Sequence, residues 1–415
     1  MKRSLPWFVI SAVAVGSSCD PGTDLDWPVI PIGPLSLTVV SAAEDPLWEV
    51  RDVLAHGGTF WALTASAPYV HGFAPTGELT TRFGTSGDGP GEFRFPSAVW
   101  PGKTPGSLTV WDPGSFSAFT FSGYGALLSS LRAPVPGAIR SDIASVTFGD
   151  PFRAVRVAGG LVTARYESGV NHGTDLWSGR LVRIPDDGGD PQVLIDFATE
   201  LPGAAVRPAG SLLAPVPLWD GCPDGRIAVL DPVARTLLML DPDGDVREAL
   251  ALPWDLAPLD GDARIAYMTA RVRSEVEDAS VSEAEIVSHA TEAARSAAEM
   301  FPVKEPLGID LKCATGTVWI REFDATSHPL GFGPLWRTVS FDGETPTLSR
   351  IVFPSGFNPY RITESLAIGV LLDPVGLQRV ATVSLPQSSR RGPSPSPPPK
   401  PTYPTVVQAQ GDSEP

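Results

Sequence analysis

Along most of this chain apolar and polar residues alternate in runs of about five, each bounded by Gly, Asp or Pro, which is the pattern of short β-strands joined by turns. The runs come in pairs. Gly58-Thr-Phe-Trp-Ala-Leu precedes Tyr69-Val-His-Gly-Phe, and Gly106-Ser-Leu-Thr-Val-Trp-Asp112 precedes Phe119-Thr-Phe-Ser-Gly123. Gly160-Leu-Val-Thr-Ala is followed by Arg180-Leu-Val-Arg-Ile, and Asp224-Gly225-Arg-Ile-Ala-Val-Leu-Asp231 by Thr236-Leu-Leu-Met-Leu. Gly316-Thr-Val-Trp-Ile leads to Leu335-Trp-Arg-Thr-Val-Ser-Phe, and Leu366-Ala-Ile-Gly-Val-Leu-Leu-Asp373 to Gln378-Arg-Val-Ala-Thr-Val.

Six units at a spacing of roughly 50 residues, two intervals being longer, indicate one supersecondary motif repeated around an axis. Four strands per unit, stacked radially, give an all-β six-bladed β-propeller with four-stranded blades. Two open sandwiches would supply as many strands but give no reason for a fixed repeat. Ala98-Val99-Trp100, Leu212 to Trp219 and Ile309 to Lys312 are expected among the inner strands, and they read as poor in metal ligands. The sixth unit offers only three strands. Ser36 to Ser41, just ahead of blade one's inner strand at Trp48 to Leu54, is predicted to fill the vacant outer place and close the ring.

The segment Arg82-Phe-Gly-Thr-Ser-Gly-Asp-Gly-Pro-Gly-Glu-Phe-Arg-Phe-Pro96 resembles the Gly-Pro-Gly-Glu-Phe loop of a bacterial six-bladed, NHL-repeat-like propeller lipoprotein family. Phe301-Pro302 ahead of Leu307 to Ile320, and the closing stretch from Ile362 to Val380, are similar to that family as well. The resemblance covers about residues 36 to 385. It implies a loop running from the outer strand of one blade to the inner strand of the next. Some propellers related to NHL proteins are lyases or lactonases with a Ca²⁺ or Zn²⁺ ion in the central channel, which supplies the enzyme alternative considered below.

Long connections are expected at 84–95, 132–151, 166–179 and 253–305, all on the same side of a four-stranded-blade ring. The last is the helical insertion. Ser282-Glu283-Ala284-Glu285 is a capping box. The helix it opens is predicted to run to about Met300 with Ile286, Ala290, Ala293, Ala294 and Ala297 on one face, and Asp262 to Val276 is a second candidate. A helical hairpin packed on the rim is the preferred reading, a lid over the channel the other.

Composition agrees with many turns and little helix: the 415 residues include 41 Gly and 44 Pro. A net charge of −16 argues against a phosphate-binding basic face, so nucleic acid is not an expected partner. Lys2 and Arg3 followed by the apolar run Leu5 to Val15 read as an export signal, residues 1–18, too short to span a bilayer. Gly16-Ser-Ser-Cys19 resembles a lipobox and marks Cys19 for lipidation, although Gly16 stands where an aliphatic residue is usual. Ordinary cleavage near Gly16 is the alternative. Residues 19–35 form a linker, 36–386 the propeller, and 387–415 a Pro-rich tail whose missing backbone donors preclude a core.

Chemistry is sparse. In the Gly-rich loop, Asp88 and Glu92 can accept hydrogen bonds from a sugar or amine and Arg94 can hold a carboxylate. A tight structural loop, with Glu92 paired to Arg94 or to a neighbouring blade, is the other reading. His172 and Asp175 lie close in a long loop and can act together or form a solvated surface. The five histidines are scattered, so no metal ligand set, cofactor or catalytic constellation is assigned. Cys222 and Cys313 stand at equivalent places before Gly225 and Gly316, and either a disulfide or two buried thiols fits. The expectation is an exported, envelope-anchored propeller, held to the membrane only by its lipid, that binds a protein, peptide or glycan. The alternative is a metal-dependent hydrolase or lyase with its site in the channel.

Overall fold

The computed structural model describes residues 35–41, 47–132, 153–168, 176–200, 213, 217–276, 281–298, 301–326, 332–341, 346–373 and 376–386. Its strands form six separate four-stranded antiparallel sheets. Blade one is β2 (Val50–His56), β3 (Thr59–Thr64), β4 (Val70–Phe73) and β5 (Leu79–Phe83), counted from the axis outward. Blade two is β6 (Ala98–Pro101), β7 (Leu108–Asp112), β8 (Ser117–Phe121) and β9 (Leu127–Arg132). Blade three is β10 (Ala154–Val157), β11 (Gly160–Ser168), β12 (Leu176–Pro185) and β13 (Gln192–Glu200). Blade four is β14 (Leu218–Gly221), β15 (Ile227–Asp231), β16 (Thr236–Leu240) and β17 (Val246–Ala251). Blade five is β18 (Asp310–Ala314), β19 (Thr317–Phe323), β20 (Phe332–Ser340) and β21 (Thr347–Val352).

Blade six combines both ends of the fold. Its inner three strands are β22 (Phe357–Ile362), β23 (Leu366–Leu372) and β24 (Gln378–Ser384), and its outer strand is β1 (Leu37–Val39). Leu37 pairs with Val383, Thr38 with Thr382 and Val39 with Ala381. Beyond the ladder, the Val40 N–H donates to the Val380 carbonyl at 2.7 Å and the Val380 N–H to the Ser41 hydroxyl at 3.1 Å. The chain is a six-bladed β-propeller.

What joins the blades is apolar burial. An apolar cluster fills each of the six seams, for example Leu54, Leu63 and Val70 of blade one against Val99, Leu108 and Phe119 of blade two. The seam between blades six and one repeats this with Val53, Ala62, Ile368 and Val380. Each such side chain contributes about 1.5–3 kcal/mol on burial, so the ring coheres without a central core.

Because the strands alternate in direction, the connections from an outer strand to the next inner strand share one face, the upper, with those from second to third strand. The helical insertion rises there, between β17 and β18. Its helices are α1 (Gly261–Glu275), capped by the Asp260 carboxylate on the Ala263 N–H, and α2 (Glu283–Ser296), opened by the Ser282–Glu285 capping box. Ile286, Ala290 and Ala294 are buried, and the hairpin packs through Tyr267 and Met268 on Phe301 and on Phe323 at the end of β19. Small alanines permit that close approach. Among the described residues no helix is long and apolar enough to cross a membrane.

Three expectations need correction. Helix α2 stops at Ser296, short of Met300, because the chain turns off at Ala297 and brings Phe301 edge-on to Tyr267, ring centroids 6.1 Å apart. Residues 166–179 are not all loop: Tyr166, Glu167 and Ser168 pair with Gly179, Ser178 and Trp177, extending the β11–β12 hairpin outward. The inner strand of blade four begins at Leu218, later than expected, and therefore includes Asp220.

Candidate functional site

The Gly-rich loop folds around its own side chains. Glu92 turns back so that its carboxylate accepts the Gly89 N–H at 2.8 Å, and Asp88 pairs with Arg94. That guanidinium holds the Asp88 carboxyl below the usual carboxylate range. Phe93 is fully buried among Tyr69, Phe119 and Phe121, at ring distances of 5.6–5.7 Å. Gly84 makes room for it: a Cβ there would lie 2.8 Å from the Phe93 ring, on a backbone with φ of +92°. The far end is held by buried Asp112, whose oxygens accept the Arg94 and Phe95 N–H groups at 2.8 and 2.9 Å. Two of the expected ligand-binding acids are thus engaged within the protein. Asp88 and Arg94 stay exposed as a pair.

A second polar constellation escaped the sequence reading, which took the inner strands as poor in acids. Asp52 on β2 is buried, and its carboxylate accepts the Val53 N–H and, across the seam, the Val99 N–H of blade two, both at 2.9 Å. Arg361 of blade six donates to the same carboxylate at 2.6 Å and also to the Val99 carbonyl at 3.0 Å. One arginine therefore spans blades six, one and two. Asp220 repeats the device half a turn away. It accepts the Gly221 N–H at 3.0 Å and the Cys313 N–H of blade five at 2.9 Å. Arg153 of blade three meets it at 2.6 Å and reaches the Leu311 carbonyl at 3.3 Å. On blade five, Asp310 accepts the Lys312 ammonium at 3.0 Å, with Arg153 at 3.7 Å. Arg321, buried between blades five and six, donates to the Asn358 side chain at 2.6 Å.

Burial dominates the electrostatics of this belt. Desolvation pushes the Asp52 carboxyl up even though Arg361 opposes it. It also lowers the basicity of Lys312, and it brings Arg321 down to about 10. Asp52 and Lys312 both lie on innermost strands, β2 and β18. Side-chain exposures of 28 % for Arg361, 20 % for Asp310 and 11 % for Lys312 show that the belt is not fully closed to solvent. Among the described residues no group of three or more His, Cys, Asp or Glu is gathered to hold a metal ion.

Below the Asp220 arm, Cys222 and Cys313 are joined in a disulfide with Cα atoms 4.8 Å apart, both residues buried. Of the remaining candidates, Cys19, His172 and Asp175 lie outside the described residues.

No family model matches the chain, and no curated protein does. Solved structures of similar architecture include a putative exported protein from Bacteroides fragilis, at 9 % identity over 85 % of this chain and 94 % of that one, TM-score 0.48. A member of the duf4221 family from Bacteroides vulgatus is 8 % identical over 84 % and 97 %, TM-score 0.44. A virginiamycin B lyase from Staphylococcus aureus is 8 % identical over 85 % and 100 %, TM-score 0.40. At such identities no residue role passes from those proteins to this chain.

Proposed function

We propose that this protein is an exported, lipid-anchored binding module whose upper face recognises a protein, peptide or glycan. The observation that carries this reading is the engagement of the inner-strand carboxylates. Asp52 and Asp220 each spend their oxygens on two backbone N–H groups and an arginine, and Asp310 is paired with Lys312. A channel-centred metal would meet Arg153, Lys312 and Arg361 around the axis, and their charge repels a divalent cation. The large elaborations, the Gly-rich loop and the α1–α2 hairpin, stand instead on the upper face beside exposed Trp48, Phe95 and Val303. The buried disulfide agrees with an oxidising compartment and so with export.

Elemental analysis of the purified, disulfide-intact protein separates this from the hydrolase or lyase reading. Under the proposal no stoichiometric Ca²⁺ or Zn²⁺ co-purifies, and neither ion nor a chelator moves the melting temperature. One tightly held equivalent, with a melting temperature that falls on chelation, would replace the binding module with a metal enzyme.

A further inference from the structure

The outer strands are the open edges of a propeller, and an exposed edge invites another strand unless something guards it. Charge or shortness guards five of the six. Arg82 stands within β5, Asp196 within β13, Arg247 and Glu248 within β17 and Arg350 within β21, while β1 has only three residues. Strand β9 differs. Its sequence Leu-Leu-Ser-Ser-Leu-Arg carries no charge before Arg132 at its end, and Leu127, Leu128, Ser129 and Ser130 are all exposed. Among the described residues β8 is its one strand neighbour, so its other edge is open. A register shift interrupts the β8–β9 ladder, but the same irregularity occurs in β5, β13 and β17 and does not set β9 apart. Tyr124, 93 % exposed in the turn that leads into β9, adds apolar surface to this rim.

We propose that β9 joins two copies of this chain, pairing antiparallel with β9 of the second copy so that the two second blades form one continuous sheet. Electrostatics selects this occupant. A net charge of −16 drives copies apart, so they can meet only where no like charges face each other, and β9 is the full-length outer strand whose interior offers that. The two-fold axis relating antiparallel neighbours stands perpendicular to the sheet, so every side chain keeps its face and one residue meets its own copy at the axis. With Ser130 there, Ser129 faces the second copy's Leu131 and Leu128 faces the second copy's Arg132. With Ser129 there, Leu128 faces the second copy's Ser130. Neither register opposes two charges, and either places a small, hydrogen-bonding serine pair at the centre. One pair of short strands buries less than the roughly 1,200 Å² of stable complexes, so the dimer is weak and forms at high concentration. The inference concerns the outer rim and is independent of what the upper face binds.

Sedimentation velocity of the full-length, disulfide-intact protein, from roughly 1 µM to 1 mM, tests the proposal. The wild type is expected to pass from monomer to dimer across that range. The double variant Ser129→Lys/Ser130→Lys sets lysine against lysine in either register, and its dimer should be about tenfold or more weaker. Both positions are exposed, so the variant should keep its circular dichroism spectrum. Mixing it with Ser129→Glu/Ser130→Glu pairs opposite charges at the axis and should restore dimers. The N-terminal segment is common to all these proteins, so any association through it drops out of the comparison. Should the lysine variant fail to fold, hydrogen exchange of the wild type serves: concentration should protect amides of Leu127–Arg132 and of no other outer strand. A wild type that stays monomeric, an unweakened lysine variant, a mixture without rescue, or protection elsewhere would each overturn the β9 contact. A monomer whose β9 is protected only by an added peptide of alternating Val and Thr would give the edge to a foreign strand and overturn it too. The upper-face reading would still stand or fall by its metal analysis.

Discussion

A buried carboxylate costs little only when its lone pairs are taken, and this protein solves that problem at several positions. Asp52 and Asp220 place one backbone N–H of their own strand and one of the next blade on the carboxylate, then add an arginine from the preceding blade. Removing the acid strands two seam N–H groups and leaves the half-buried Arg361 guanidinium without its counter-charge. Asp52→Ala is therefore expected to destabilise the fold by about 3–5 kcal/mol, measured by urea denaturation. Glu322 on β19 offers a milder case with a pH signature. It receives Arg337 at 2.8 Å and Arg350 at 2.7 Å. Burial alone would raise its carboxyl, but the two arginines prevail and hold it below its ordinary value of 4.5. A lowered folded-state value means stability fully present above the unfolded value and lost as pH falls through the folded one. Glu322→Gln should cost about 1–2 kcal/mol at pH 7, and the gap from wild type should narrow as pH falls below the ordinary value of 4.5 in melts run across pH. The acids of the belt were hidden in the sequence because a lone Asp in an apolar strand interrupts the alternation without announcing a partner. A signal was present: Asp52 and Asp220 each stand five residues before a turn glycine, Gly57 and Gly225.

At the scale of elements, the period-2 runs translate directly into strands because each blade buries both faces against its neighbours. That double burial makes the repeat readable, and it also specifies where the ring must close. Strand β1 is short and two of its three residues are exposed, yet it covers the β24 edge that would otherwise be left open. Thr38→Pro removes a ladder donor in its centre. Lower stability and concentration-dependent aggregation are expected, followed by light scattering during a melt; an unchanged melt would mean that the clasp is dispensable. The helical hairpin was legible through its capping box, and Ser282→Ala should cost about 1 kcal/mol, read in the same thermal melt. The extended β11–β12 hairpin was not. Its tip is built from Glu, Ser, Gly and Trp, which read as a loop, whereas the strand continues because backbone pairing needs only a partner in register. The termination of α2 was hidden for a related reason. Alanines favour continuation, and only the tertiary contact of Phe301 with Tyr267 takes the chain away.

At the scale of the molecule, the two arginine–aspartate devices divide the ring into halves, blades six-one-two and three-four-five, each tied through its middle blade. The second half carries an additional tie. Cys222 follows the inner strand of blade four and Cys313 lies in that of blade five, so the disulfide encloses the rest of blade four and the whole helical insertion, a separation of 91 residues. Closing so long a loop restrains the unfolded chain strongly, which corresponds to about 2–5 kcal/mol of stability. The bond also fixes the backbone whose Cys313 N–H is donated to Asp220, so covalent and ionic ties act on one seam. The double variant Cys222→Ser/Cys313→Ser should therefore melt roughly 4–10 °C below the oxidised protein, and dithiothreitol should lower the wild type toward the variant without moving the variant itself. If the loss came only from the seam, proteolysis of the variant would begin at blades four and five while blades six, one and two stayed protected. Cleavage spread evenly around the ring would show that the closed loop acts on the unfolded chain alone. The two origins thus predict different first fragments, which limited digestion with mass spectrometry distinguishes.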